Sequence, residues 1–151
     1  MKIKFIALVT VLVIVAAIGL SWQRLSFREA ENQIGLVVEP RNQDLGRVKY
    51  GDTPSTDFEV RNLGGETIQI TQISTSCGCT TATLVGHEDQ LTEGESVSIA
   101  GGEVKTMQVT FNPAVHGDDT DLGPLKRVIY AGTDNPQQPE LQVTITADVY
   151  K

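Results

Sequence analysis

Cys77 and Cys79, one residue apart across Gly78, are the only thiols in the chain. Any chemistry this protein performs would rest on them. Glycine lets the backbone fold tightly, so the two sulfurs could close a small, strained disulfide, and strained disulfides are the more oxidising ones. As a pair of soft thiolates they could instead hold copper(I), or supply half of a tetrahedral zinc site. A full zinc site needs two more ligands, and the only histidines are His87 and His116. Their neighbours Glu88 and Asp89, and Asp118 and Asp119, equally suit idle side chains on solvated loops. Three readings of the pair therefore stay open: a structural disulfide or packed turn, a metal pair with Cys77 and Cys79 as ligands, and a redox pair.

Other constellations are weaker. The run Asp118, Asp119 and Asp121 offers clustered oxygens of the kind calcium prefers, but lacks the glycine and closing glutamate of an EF-hand loop, and reads as solvated. No Ser/His/Asp order, phosphate-cradling glycine loop or zinc-hydrolase motif is visible, so hydrolytic catalysis is not expected.

The elements that must position the cysteines are strands. Aromatics make up 5% of the chain and its apolar content is mainly Val, Ile and Leu, punctuated by 14 Gly and 6 Pro, which favours short strands over helices. Leu36 to Val38 and Asp44 to Val48 read as edge pieces around Pro40. Thr56 to Arg61 alternates, with Phe58 and Val60 on one face. Thr67 to Thr71 turns Ile68 and Ile70 inward, and Ile73 falls off phase, which predicts a bulge or strand end just before the cysteines. Ala82 to Ser96 is polar and reads as a loop, followed by a turn at Gly101 and Gly102. Val104 to Phe111 alternates again, Val128 to Tyr130 reads as a strand covered on both faces, and Leu141 to Val149 places every second residue inward. About seven short strands predict an all-β, immunoglobulin-like sandwich of two antiparallel sheets over residues 35–151. An immunoglobulin-type long-range disulfide is excluded, because the cysteines are near neighbours.

Ahead of this domain, Lys2 and Lys4 precede Phe5 to Leu20, a run of 16 residues without a charge, followed by Trp22 and Arg24. Residues 1–22 read as a signal-anchor or signal peptide and 23–34 as a linker. An uncleaved transmembrane helix from Phe5 to Trp22 is favoured, because small residues at a cleavage site are poorly placed and Trp22 suits the headgroup level. The domain then faces the periplasm or cell exterior. It is secreted if the signal is cleaved. Residues 35–151 hold eight basic against seventeen acidic residues, a net charge of −9. Nucleic acid and anionic lipid surfaces are poor partners for such an anion.

The strings Phe58-Glu-Val-Arg-Asn62, Ile68-Gln-Ile70, Ser76-Cys-Gly-Cys-Thr80, Gln108-Val-Thr-Phe111, Thr133-Asp-Asn-Pro136 and Leu141-Gln-Val, with Gly65, Gly102-Glu103 and Gly117 between them, resemble the bacterial domain-of-unknown-function family 1573. The resemblance covers nearly the whole exported domain and implies a sandwich of the Hydin and major-sperm-protein type in an exported protein. It brings no established activity. Ala100 and Gly101 stand where the family usually has Pro-Gly, and the loop after Cys79 is long. Two functions are expected to compete. One is a membrane-anchored, non-catalytic module that binds another envelope protein. The other is a copper- or zinc-binding or thiol-redox protein built on Cys77 and Cys79.

Overall fold

In the computed structural model, described over residues 35–86, 91, 94–117 and 120–151, the alternating runs become nine strands. The segment Phe5 to Trp22, the linker, His87, Asp118 and Asp119 lie outside the described residues. In chain order the strands are β1 (Leu36–Glu39), β2 (Asn42–Lys49), β3 (Ser55–Asn62), β4 (Ile68–Thr75), β5 (Thr80–Leu84), β6 (Val97–Ile99), β7 (Val104–Phe111), β8 (Gly123–Thr133) and β9 (Glu140–Tyr150). One sheet has the order β1-β3-β7-β5 and the other β2-β9-β8-β4-β6.

The core lies where the inward faces of both sheets meet. Phe58, Val60, Ile68, Ile70, Val109, Phe111, Val143 and Ile145, the positions that alternation turns inward, are all buried. Removing such side chains from water contributes about 1.5–3 kcal/mol each. The phase slip before the cysteines is present too: the β4–β8 register shifts between Ile70 and Gln72, so Ile73 pairs with Ala131 out of step with Ile70.

Three sequence expectations need correction. First, the count of strands rises because β5 and β6 lie within or beside a stretch that reads as polar loop. Thr80, Ala82 and Leu84 face inward there, with threonines between them that carry no hydrophobic signal. Second, not every pair is antiparallel. β2 runs parallel to β9, Asn42 opposite Thr144 and Lys49 opposite Tyr150. These strands are far apart in sequence, so no hairpin dictates their direction, and an alternating pattern carries no direction of its own. Third, β8 is not covered on both faces. Ile129 and Ala131 are buried, while Val128 and Tyr130 are half-exposed on the outer face.

The ends of the sheets are finished by side chains. Gln138 accepts from the Leu36 amide and donates to the Leu36 carbonyl, both at 2.8 Å, and so occupies the open edge of β1. At the far end of β3, the fully buried Asn62 donates to the carbonyls of Glu66 (2.8 Å) and Ile99 (2.9 Å) and accepts from the Gly64 amide (2.9 Å). That one side chain ties the β3–β4 turn to the end of β6.

Candidate functional site: a disulfide held against a buried ion pair

Cys77 and Cys79 form a disulfide in the short connection from β4 to β5. Local hydrogen bonds fix the turn. The Thr75 hydroxyl reaches the carbonyls of Cys77 (2.9 Å) and Thr80 (3.0 Å), and the Thr80 amide donates to the Cys77 carbonyl (3.1 Å). Ser76 staples the turn to β8: its amide donates to the Val128 carbonyl and its hydroxyl accepts from the Val128 amide, each at 2.9 Å. On the other side the Asn112 amide donates to the Cys79 carbonyl at 2.7 Å. Thr75 and Ser76 are thus spent on backbone, while the Cys79 amide donates to Cys77 Sγ at 3.1 Å and the Thr80 hydroxyl lies 3.7 Å from Cys79 Sγ.

Gly78 is not what closes the turn. Its φ lies outside the left-handed range, and an added Cβ would meet only the His116 ring carbon Cε1 at 3.9 Å, an ordinary contact. The tightness comes from the Thr75 and Ser76 bonds.

The two sulfurs differ in setting. Cys79 is buried, 2% exposed, and Cys77 is half-buried. The Arg127 Nε–H donates to Cys79 Sγ at 3.1 Å, and the same guanidinium donates through Nη2 to Oδ1 of Asp121. Asp121 is itself 2% exposed, and its second oxygen, Oδ2, is buried without a hydrogen-bond partner among the described residues. His116 Nε2 stands 3.4 Å from Cys77 Sγ and 3.9 Å from that Asp121 oxygen. One ligand atom from each of Cys77, Cys79, His116 and Asp121 falls within 4.8 Å of the others.

Of the residues that the sequence brings forward, Cys77, Cys79 and His116 therefore meet, and Asp121 joins them. The solvated reading of the acidic run fails at Asp121, which turns inward because Arg127 waits there to neutralise it. Arg127 was missed altogether. It shares its face of β8 with Ile129 and Ala131 and lies opposite Ile145, so strict alternation places an arginine on the core side. Such a residue needs a buried anion. That signal was hidden by reading Val128 to Tyr130 as covered on both faces.

The sandwich and its Cys-Gly-Cys-Thr turn can be set beside known proteins. A family model described as "Protein of unknown function (DUF1573)" matches residues 36–149. The chain belongs to the DUF1573 family. No curated protein matches it in sequence. Among solved structures, a protein of unknown function from Porphyromonas gingivalis W83 superposes with a TM-score of 0.60 at 18% identity, over 79% of this chain and 48% of that one. This DUF1573 chain thus spans about half the length of that protein. The ASH/PapD-like domain 7 of human CEP192 gives 0.55 at 9% identity, covering 77% of this chain and 85% of that one. The YadV chaperone gives 0.53 at 10% identity, covering 78% and 53%. At these identities the likeness shows the fold alone: a PapD-like, immunoglobulin-type sandwich.

Proposed function

We propose that this DUF1573 protein is an exported module, anchored in the bacterial cell membrane through Phe5 to Trp22, that binds another envelope protein by adding a strand at the edge of β5. The observation that carries the reading is the contrast between β5 and the other sheet edges. β1 is occupied at Leu36 by Gln138, β2 is broken by a register shift between Asp44 and Arg47, and β6 has three residues. Such features blunt an edge against pairing. Among the described residues, β5 has none of them. The Val85 amide donates to the Thr106 carbonyl and the Asn112 amide to the Cys79 carbonyl. The alternation of an antiparallel ladder then turns the amides of Ala82 and Leu84 away from β7, toward the free edge. No strand among the described residues pairs there. Strand addition draws affinity from such main-chain groups. The PapD-like fold is compatible with this role, and the acidic surface suits a protein partner better than nucleic acid.

The test uses intact cells. A photo-crosslinking residue at Thr81, exposed on β5, is expected to yield a discrete adduct with an envelope protein. Ala82→Pro, which removes an outward amide without removing a β7 ladder bond, is expected to abolish the adduct while the melting curve shows a folded domain. An adduct that survives Ala82→Pro would overturn the strand-addition reading. Protease shaving that fails to reach the domain would overturn export.

A further inference from the structure

We infer that the Cys77–Cys79 disulfide is a thiol–disulfide exchange centre for a thiol-bearing partner, with Cys77 the sulfur attacked and Cys79 the thiolate that leaves onto Arg127. This goes beyond the binding role and does not depend on it.

A structural purpose explains the disulfide poorly. The cysteines are two positions apart, and closing so small a ring removes little entropy from the unfolded chain. The turn also has its own fastening through Thr75, Ser76 and Asn112. What the surroundings add is chemical asymmetry. Exchange is fast when the leaving sulfur is stabilised as a thiolate and the attacked sulfur is accessible. Cys77 is the more exposed sulfur, and beside it His116 has a side chain that is 43% exposed. Cys79 is closed off from solvent and already accepts the Arg127 Nε–H at 3.1 Å. A guanidinium bond of this kind strengthens when the sulfur gains negative charge. Arg127 is in turn held in place by Asp121, so no reorganisation is needed when the charge appears. The second Asp121 oxygen, 3.9 Å from His116 Nε2, gives the ring a second group to turn toward when Cys77 is engaged.

A partner thiolate attacks Cys77 Sγ, an S–S bond forms between them, and the Cys77–Cys79 bond breaks with its electron pair on Cys79. A second partner thiolate attacks the partner sulfur of this mixed disulfide and expels Cys77. The partner's two thiols are oxidised to one disulfide, and the chain is reduced by two electrons. The two protons from the partner's thiols end on the freed cysteines or in solvent. A metal centre is the poorer reading of the same cluster: Arg127 already donates to both Cys79 and Asp121, where a cation would have to sit.

The full-length protein tests this without denaturant. Dithiothreitol is expected to reduce the pair in the folded state, followed by maleimide mass-tagging. With an aromatic disulfide as probe, Cys77 in the Cys79→Ser variant should form a mixed disulfide about ten-fold faster than Cys79 in Cys77→Ser. Arg127→Gln should slow reduction of the native pair about ten-fold, and Arg127→Lys should restore part of the rate. If Arg127→Gln does not fold, the two serine variants still decide, since they leave the ion pair intact. The proposal is overturned if reduction requires denaturant, or if Cys79 reacts as fast as Cys77. It is equally overturned if the reduced protein takes up one zinc ion that blocks tagging, which would make the cluster a metal site. The photo-crosslink at Thr81 uses no cysteine, so the two readings fail separately.

Discussion

β7 has a buried polar group near each end, and the two are built differently. Near its start, Asn62 uses both amide hydrogens and its carbonyl oxygen on backbone, so that no polar side-chain atom of it goes unbonded. Beyond its end, Asp121 gives one oxygen to Arg127 and keeps the other buried without a hydrogen-bond partner among the described residues, while Arg127 divides its donors between Asp121, a sulfur and the Lys126 carbonyl. Buried polar groups that are fully paired specify a fold. A buried ion pair with a spare acceptor and a disulfide within reach stabilises poorly for its cost, since desolvating two charges offsets much of their attraction. The first end is architecture. The second makes sense if its charges serve the cysteines.

The largest expected effect separates these two ends. Asp121→Ala removes the anion from beside a part-buried Arg127 guanidinium, and since losing one partner of a fully buried pair costs about 3–5 kcal/mol, the loss here should approach the lower end of that range. Asn62→Ala leaves buried backbone groups unpaired, each worth about 1–3 kcal/mol, though the turn at Gly64 and Gly65 can relax toward water. Urea unfolding of both variants measures the difference. The rate of disulfide reduction in the folded state sharpens it: Asp121→Ala should change that rate and Asn62→Ala should not. Equal rates in the two variants would make the ends alike.

Glycines at the same two ends give the next contrast. A Cβ on Gly101 would lie 2.5 Å from the Gly65 carbonyl oxygen and 2.8 Å from that of Gly64, a clash with backbone that cannot step aside. Gly101→Ala should therefore cost about 1–3 kcal/mol, as overpacking does. Gly78→Ala, with only the His116 ring at 3.9 Å, should stay within about 0.5 kcal/mol of wild type. Thermal melts of the two alanine variants check this. A large loss at Gly78 would mean that glycine, and not the Thr75 and Ser76 bonds, shapes the cysteine turn.

How much of this was legible in the sequence follows from what each residue reports. Phe58, Val60, Val143 and Ile145 announce their faces because period-two alternation is local and each core position repeats it. The cysteine pair is legible because its types and spacing carry chemistry unaided. Asp121 was not legible: an aspartate beside Asp118 and Asp119 looks solvated until its partner is known, and that partner arrives six residues later on another element. Arg127 was half legible, since its parity with Ile129 was there to be counted. The β2–β9 pairing left no trace, because direction and long-range partnership are properties of the assembled sheets.

The smallest expected effect belongs to the Asn62 end and is electrostatic. Glu103 accepts from the Ala100 amide at 2.7 Å and pairs with Lys105 at 3.0 Å, closing the turn that brings Gly101 against Gly64 and Gly65. The Ala100 bond, followed by Lys105, holds its carboxyl below the ordinary value of 4.5. A carboxyl whose folded value is depressed binds protons more readily in the unfolded chain. It therefore contributes stability that is fully present above the unfolded value and is lost as pH falls through the folded one. Glu103→Gln keeps an acceptor for Ala100 but has no charge to lose. Melting temperatures of wild type and Glu103→Gln should thus differ slightly near neutrality, with wild type higher, and converge in acid below 4.5. The Glu103 side chain is partly exposed, so solvent and salt screen the effect, and added salt should narrow the gap at neutral pH as well. A gap that persists unchanged into acid would mean that Glu103 holds the turn by shape and hydrogen bonding alone, as Asn62 does, with no part played by its charge.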